Sequence, residues 1–150
     1  MSEYGPYIEP YQHDKGGLLE ALHALRKEYN HIPEKALKEL AKAFNISDSQ
    51  VYGVASFYSF MNFSEQGEYV IRVCRSVPCY MAGSSDLMGD LEEYFGIKAG
   101  TLTGGKYSLE WVECIGQCQG APAVMINDMP LEKADVEKIR SFLAAAQSDE

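Results

Sequence analysis

Apolar residues recur at helical spacing through the first third of the chain. In "GGLLEALHALRKEYN", Leu18, Leu19, Leu22, Leu25 and Tyr29 share one helix face. Asn30 suits a left-handed cap at its end. "IPEKALKELAKAFN" predicts a second helix, with Pro33 at the first helical position, a buried stripe of Leu37, Leu40, Ala41 and Phe44, and Asn45 as its cap. The third helix carries the sharpest start signal. Ser47 and Gln50 make a capping box, and Ile46 and Val51 are placed as the hydrophobic staple around it. This helix is predicted to run to Phe60. Its aromatic run "FYSFMNF" is too apolar to stand in water, so it is expected in the core, against the second half of the chain, or under a partner. Residues 1–15 are polar, hold two prolines and carry Tyr4, Tyr7 and Tyr11. They read as an irregular arm, either frayed or ordered by a partner.

After "SEQGE" the period changes from helical to alternating. "YVIRVC" reads as a strand ending at Cys74. "SSDLMGDLEEYFG" reads as a helix capped by Ser84 or Ser85 and closed by Gly96, with Leu87, Leu91, Tyr94 and Phe95 facing inward. "TLTGGKYSLEWVEC" predicts a turn at Gly104–Gly105 and a strand from Tyr107 to Glu113. "APAVMINDMPL" predicts a short strand, Val124–Ile126, and an Asn127–Asp128 turn. "KADVEKIRSFLAAA" closes the chain with a helix facing Val136, Ile139 and Leu143 inward. The order is β-α-β-β-α. A crossover helix implies a parallel strand pair, and the Asn–Asp turn an antiparallel hairpin. The fold class is therefore α+β: an irregular arm (1–15), a helical bundle domain of three helices (16–65), and a mixed-sheet domain (66–150).

Charge narrows the functions open to this fold. The net charge is −9, and residues 66–150 hold 13 acids against 7 bases. Such a surface repels polyphosphates, so nucleic acid is excluded as a partner. The chain shows no secretory leader pattern, no apolar stretch of membrane-spanning length and no lipidation motif. A cytoplasmic location with reduced thiols and no membrane insertion is expected.

The candidate chemistry is concentrated in the cysteines. Cys74 and Cys79 are separated by four residues, Cys114 and Cys118 by three, and each pair follows a predicted strand. If those strands are neighbours, both loops leave the same edge of the sheet and the thiolates can converge. A reducing compartment argues against disulfides, and a dithiol redox motif would need Cys-x-x-Cys. The spacings are compatible with a structural zinc site. They suit a [2Fe-2S] cluster better, because two irons need four thiolates and more room than one ion. Gly116, Gly120, Pro78 and Pro122 would shape loops whose backbone N–H groups can bond the sulfurs. His13, His23 and His31 all lie outside the cysteine loops, which disfavours a mixed histidine–cysteine site. Glu110 and Glu113, beside a dianionic cluster, suggest a low reduction potential. Trp111 is expected in the core. No phosphate-binding loop, dinucleotide fingerprint, catalytic cysteine–histidine pair or paired carboxylate is present, so no catalytic residue is assigned. A redox centre without a substrate-pocket signature reads as an electron-carrying subunit without a complete active site of its own.

These motifs resemble a known family. "VYGVASFYSFM" at Val51–Met61, the C-x4-C and C-x3-C pairs with 34 residues between them, and "ECIGQCQGAPAVMIND" are similar to the [2Fe-2S] 24 kDa subunit family of NADH dehydrogenase, the respiratory complex I. The resemblance extends to the small subunits of NAD-linked electron-bifurcating hydrogenases and formate dehydrogenases. It covers Gly17 to Leu143 and implies a thioredoxin-like [2Fe-2S] ferredoxin domain ligated by Cys74, Cys79, Cys114 and Cys118. It also implies a larger partner subunit that holds FMN and NAD(H), with further iron–sulfur or hydrogenase subunits beyond it. The expected function is electron transfer within an FMN-dependent NAD(H) oxidoreductase. A soluble electron-bifurcating hydrogenase is favoured as the parent over complex I, and a free-standing ferredoxin shuttle is the rival from another class. Gln117 and Gln119 depart from the small residues usual in the second ligand loop.

Overall fold

Ser47 caps its helix as its sequence requires. Its side chain accepts the Gln50 N–H, and the Gln50 side chain reaches back to the Ser47 N–H at 3.0 Å. This computed structural model describes residues 3–101 and 105–148 of the chain, so half of the expected Gly104–Gly105 turn lies outside the described residues. The chain divides into two units, Met1–Gln66 and Gly67–Glu150.

In the first unit, α1 (Gly5–Ile8) and a 3-10 turn (Glu9–Tyr11) lead into α2 (Gly17–Tyr29), α3 (Glu34–Phe44) and α4 (Asp48–Phe57). Asn30 and Asn45 end α2 and α3 in the left-handed conformation, as expected. Pro33 is the N-cap of α3 rather than its first residue. Leu22, Leu25, Ile32, Leu40 and Val51 are fully buried. Each such side chain contributes about 1.5–3 kcal/mol of transfer free energy.

Within the segment expected to be an irregular arm, residues 5–11 are instead helical and pack on their own chain. Tyr4 is buried, and the rings of Tyr4 and Tyr7 meet Tyr29 edge-on at 5.7 and 5.9 Å. The approach is close because residue 17 is glycine: a Cβ there would overlap the Tyr11 carbonyl oxygen. Nor is the aromatic run buried throughout. α4 stops at Phe57 rather than Phe60, Met61 enters the core, and Phe57 is 81% exposed.

The second unit contains β1 (Tyr69–Cys74), α5 (Val77–Met81), α6 (Ser84–Phe95), β2 (Tyr107–Val112), β3 (Val124–Ile126), β4 (Met129–Leu131) and α7 (Val136–Ser148). Among the described residues these strands make one mixed sheet, ordered β2-β1-β3-β4. β1 is parallel to β2 and antiparallel to β3, and β3–β4 is the hairpin closed by Asn127–Asp128. β1 is central and buried along its whole length, which fits its run of β-branched residues. Leu87, Met88 and Leu91 of α6 and Ile139 and Leu143 of α7 join Ile71, Val73, Leu109, Val124 and Ile126 in one core. Gly83, rather than either serine, precedes α6 in a left-handed conformation. Tyr94 is half-exposed rather than inward. No helix among the described residues is long and apolar enough to cross a membrane.

Candidate metal centre

The parallel register pairs Cys74 with Val112. Two residues past Val112 is Cys114, so both cysteine loops leave the sheet at one end. The ladder continues one step further, with the Arg75 N–H donating to the Val112 carbonyl at 2.9 Å. After Cys74 the chain turns at Ser76, whose backbone is extended, and Pro78 sits in the first turn of α5. This helix was not expected from the sequence, because its five residues are too few to show a period. It carries Cys79 inward, so Cys74 and Cys79 are both about 1% exposed. The residue ahead of β3 also holds Cys74: the Ala123 carbonyl accepts the Cys74 N–H at 3.1 Å.

The second loop is open to solvent. Cys114 and Cys118 are exposed, and their sulfurs lie 3.4 Å apart. Gly116 adopts φ +79, a region disfavoured for residues with a Cβ, and its N–H points at the Cys114 sulfur at 3.4 Å. Cys118 opens a 3-10 turn through Gly120. That turn is tied to the segment before α7. The Lys133 N–H donates to the Gly120 carbonyl at 2.6 Å. The Gln119 amide donates to both Gln117 and Glu132 at 3.0 Å. The two glutamines that depart from the usual small residues thus brace the loop, a role that depends on the distant Glu132 and leaves no local signal.

The sulfurs differ in chemical character. Burial pushes the Cys79 thiol up, against the lowering effect of the Ala123 N–H. The Gly116 N–H, then Cys118, pull the Cys114 thiol down. The bond from Cys114 pushes Cys118 up. The pairs also sense each other: Cys118 raises Cys79, and Cys74 raises Cys118. Thiolates that repel one another in this way favour a bound cation, whose charge removes the repulsion. Among the described residues, no group of three or more His, Cys, Asp or Glu could hold a single metal ion. Two pairs of cysteines leave one end of the sheet, and four is the number of protein thiolates a two-iron cluster takes, two on each iron.

The charged surroundings correct the premise for a low potential. Glu110 and Glu113 are not bare negative charges. Arg72, nearly fully buried, bonds Glu110 at 3.1 Å, and Arg75 bonds Glu113. Trp111 is 38% exposed rather than in the core. His13 and His23 are exposed, and His31 shares a hydrogen bond with the Tyr29 carbonyl, its Nδ1 donating at 2.8 Å. All three lie in the first unit, outside the cysteine loops. A cavity of about 550 Å³ in the second unit is lined by Tyr94, Phe95, Tyr107, Arg140, Leu143 and Gln147. It meets β2 at Tyr107, the start of the strand whose other end leads to Cys114, and no cysteine lines it.

Comparison with known proteins agrees with this geometry. The chain is 35% identical over 123 residues to a subunit of the NADH-quinone oxidoreductase of Aquifex aeolicus, covering 81% of this chain and 77% of that protein. It is 34% identical over 136 residues to NADH-quinone oxidoreductase subunit 2 of Thermus thermophilus, covering 89% and 75%. Among solved structures, an air-oxidised NAD+-reducing [NiFe]-hydrogenase superposes with a TM-score of 0.74 at 30% identity. That match covers 89% of this chain but 23% of the hydrogenase chain, so the fold recurs there as one part of a much longer polypeptide. Residues 5–147 match the thioredoxin-like [2Fe-2S] ferredoxin family, and the chain belongs to it.

Proposed function

We propose that Cys74, Cys79, Cys114 and Cys118 ligate one [2Fe-2S] cluster and that the chain is an electron-transfer subunit of an NAD(H)-linked, FMN-dependent oxidoreductase. The observation that carries the ligand set is the parallel β1–β2 register, which sends both cysteine loops out of the same end of the sheet. The cluster supplies a one-electron relay. The protein's part is to hold the sulfurs, to offer the Gly116 N–H to Cys114, and to keep Cys74 and Cys79 buried on β1 and α5. The exposed half, Cys114–Cys118, is the side open to an electron donor.

A partner is supported by the relatives. Both are named as subunits of NADH-quinone oxidoreductases, and in the NAD+-reducing hydrogenase the same fold is joined to further chain. The larger partner would hold FMN and NAD(H), with further iron–sulfur or hydrogenase subunits beyond it. An electron-bifurcating hydrogenase and a complex I-type dehydrogenase are the two parents to separate. Hydrogen formation from NADH together with reduced ferredoxin marks the first, and quinone reduction marks the second.

The test is anaerobic purification of the chain from its own cells. Co-elution with a larger FMN-containing protein, and bleaching of the visible absorbance by NADH, is the expected result. A monomeric red protein that NADH leaves oxidised would make the chain a free-standing ferredoxin shuttle.

A further inference from the structure

Arg75 follows Cys74 directly, and Glu113 precedes Cys114 directly. The two ligand loops therefore diverge just where these side chains meet. Arg75 Nε and Nη2 both donate to Glu113 Oε1, at 2.8 and 2.5 Å, and the Arg75 backbone N–H holds the Val112 carbonyl. We infer that the Arg75–Glu113 pair is a positioning clamp that ties the two halves of the cluster site and sets the local charge felt on reduction. This rests on the ligand assignment above.

Both side chains are more than half exposed, at 59% and 70%. An exposed pair adds little to global stability, so substitutions here should leave the fold intact. Its local effect is different in kind. Cys74 is anchored in the sheet and Cys114 stands on an exposed loop, and the clamp is a side-chain tie across the point where they separate. In charge, reduction adds an electron to an already anionic site, which a guanidinium favours and a carboxylate opposes. The paired groups offset each other, and removal of either one exposes the other.

Three variants test this in the iron-loaded chain: Arg75→Gln, Glu113→Gln, and the swap Arg75→Glu with Glu113→Arg. Far-UV circular dichroism confirms folding. Cluster lifetime against a chelator and the reduction potential are then read. Both single variants should lose the cluster several-fold faster, and the swap should restore its lifetime. The potentials should move in opposite directions, lower for Arg75→Gln and higher for Glu113→Gln, a split that loosened packing alone would not produce. Unchanged lifetimes, or potentials that shift the same way, would overturn the clamp. A wild-type chain without iron and sulfide would overturn the ligand assignment and the clamp together, whereas a loaded wild-type chain indifferent to all three changes overturns the clamp alone.

Discussion

Cys74 stands opposite Val112 in the parallel register of β1 and β2, two residues short of Cys114. Cysteines far apart in sequence are thus brought to one end of the sheet by strand pairing. Their accessibility stays unequal: Cys74 and Cys79 are buried, and Cys114 and Cys118 are exposed.

This asymmetry has a direct chemical consequence in the metal-free chain. Cys114 is exposed and its thiol is pulled down by the Gly116 N–H, whereas Cys79 is buried and pushed up. The thiolate is the reacting species. Brief alkylation of native, metal-free protein near neutral pH should label Cys114 first and leave Cys74 and Cys79 unlabelled until denaturant is added. Mass spectrometry of the peptides reads the order. Equal labelling of all four would contradict the buried placement of the first pair.

In the first unit, Gly17→Ala should destabilise the packing of the Tyr4–Tyr11 segment on α2. The added Cβ has no room beside the Tyr11 carbonyl, and the atom in its way is backbone. Overpacking of this kind costs about 1–3 kcal/mol. Thermal melting measures it. A variant that melts with the wild type would show that the segment does not pack as described.

Phe57 offers the reverse case. It is 81% exposed, its ring edge-on to that of Tyr58 at 5.1 Å. Phe57→Ser should leave the melting temperature within error and weaken association with the larger partner. Quantitative co-purification separates the two effects. A lowered melting temperature with normal assembly would place Phe57 in this chain's own core.

Glu92 gives a pH-dependent test. Lys98 bonds its carboxylate at 2.6 Å and the Ala99 N–H at 2.9 Å, and both hold its pKa below the ordinary value. A carboxylate lowered on folding adds stability that is present above its unfolded pKa, about 4.3, and is lost as pH falls through the lower folded value. Glu92→Gln should therefore melt below the wild type at neutral pH, and the difference should close in strong acid. A difference that stays constant across this range would rule out the charge-assisted bonds.

Much of this was legible in the sequence where the signal is local. The Ser47–Gln50 box, the Asn30 and Asn45 caps, the Asn127–Asp128 turn and the strand endings at both cysteine pairs each depend on a few adjacent residues. What was missed depends on distant partners. Residues 1–15 look frayed until Tyr29 and Gly17 supply a surface for them. Glu110 and Glu113 look like free charge until register places Arg72 and Arg75 beside them. Gln119 looks like a departure until Glu132 folds back onto its loop.

The most direct measurement is electron paramagnetic resonance of anaerobically purified, dithionite-reduced protein, with iron and acid-labile sulfide counted on the same sample. The expected result is the signal of a singly reduced iron pair, with about two irons and two sulfides per chain, lost in Cys79→Ala and Cys114→Ala. A silent spectrum with one zinc and no sulfide, or full iron retained in both variants, would contradict the assignment of Cys74, Cys79, Cys114 and Cys118 to a [2Fe-2S] cluster.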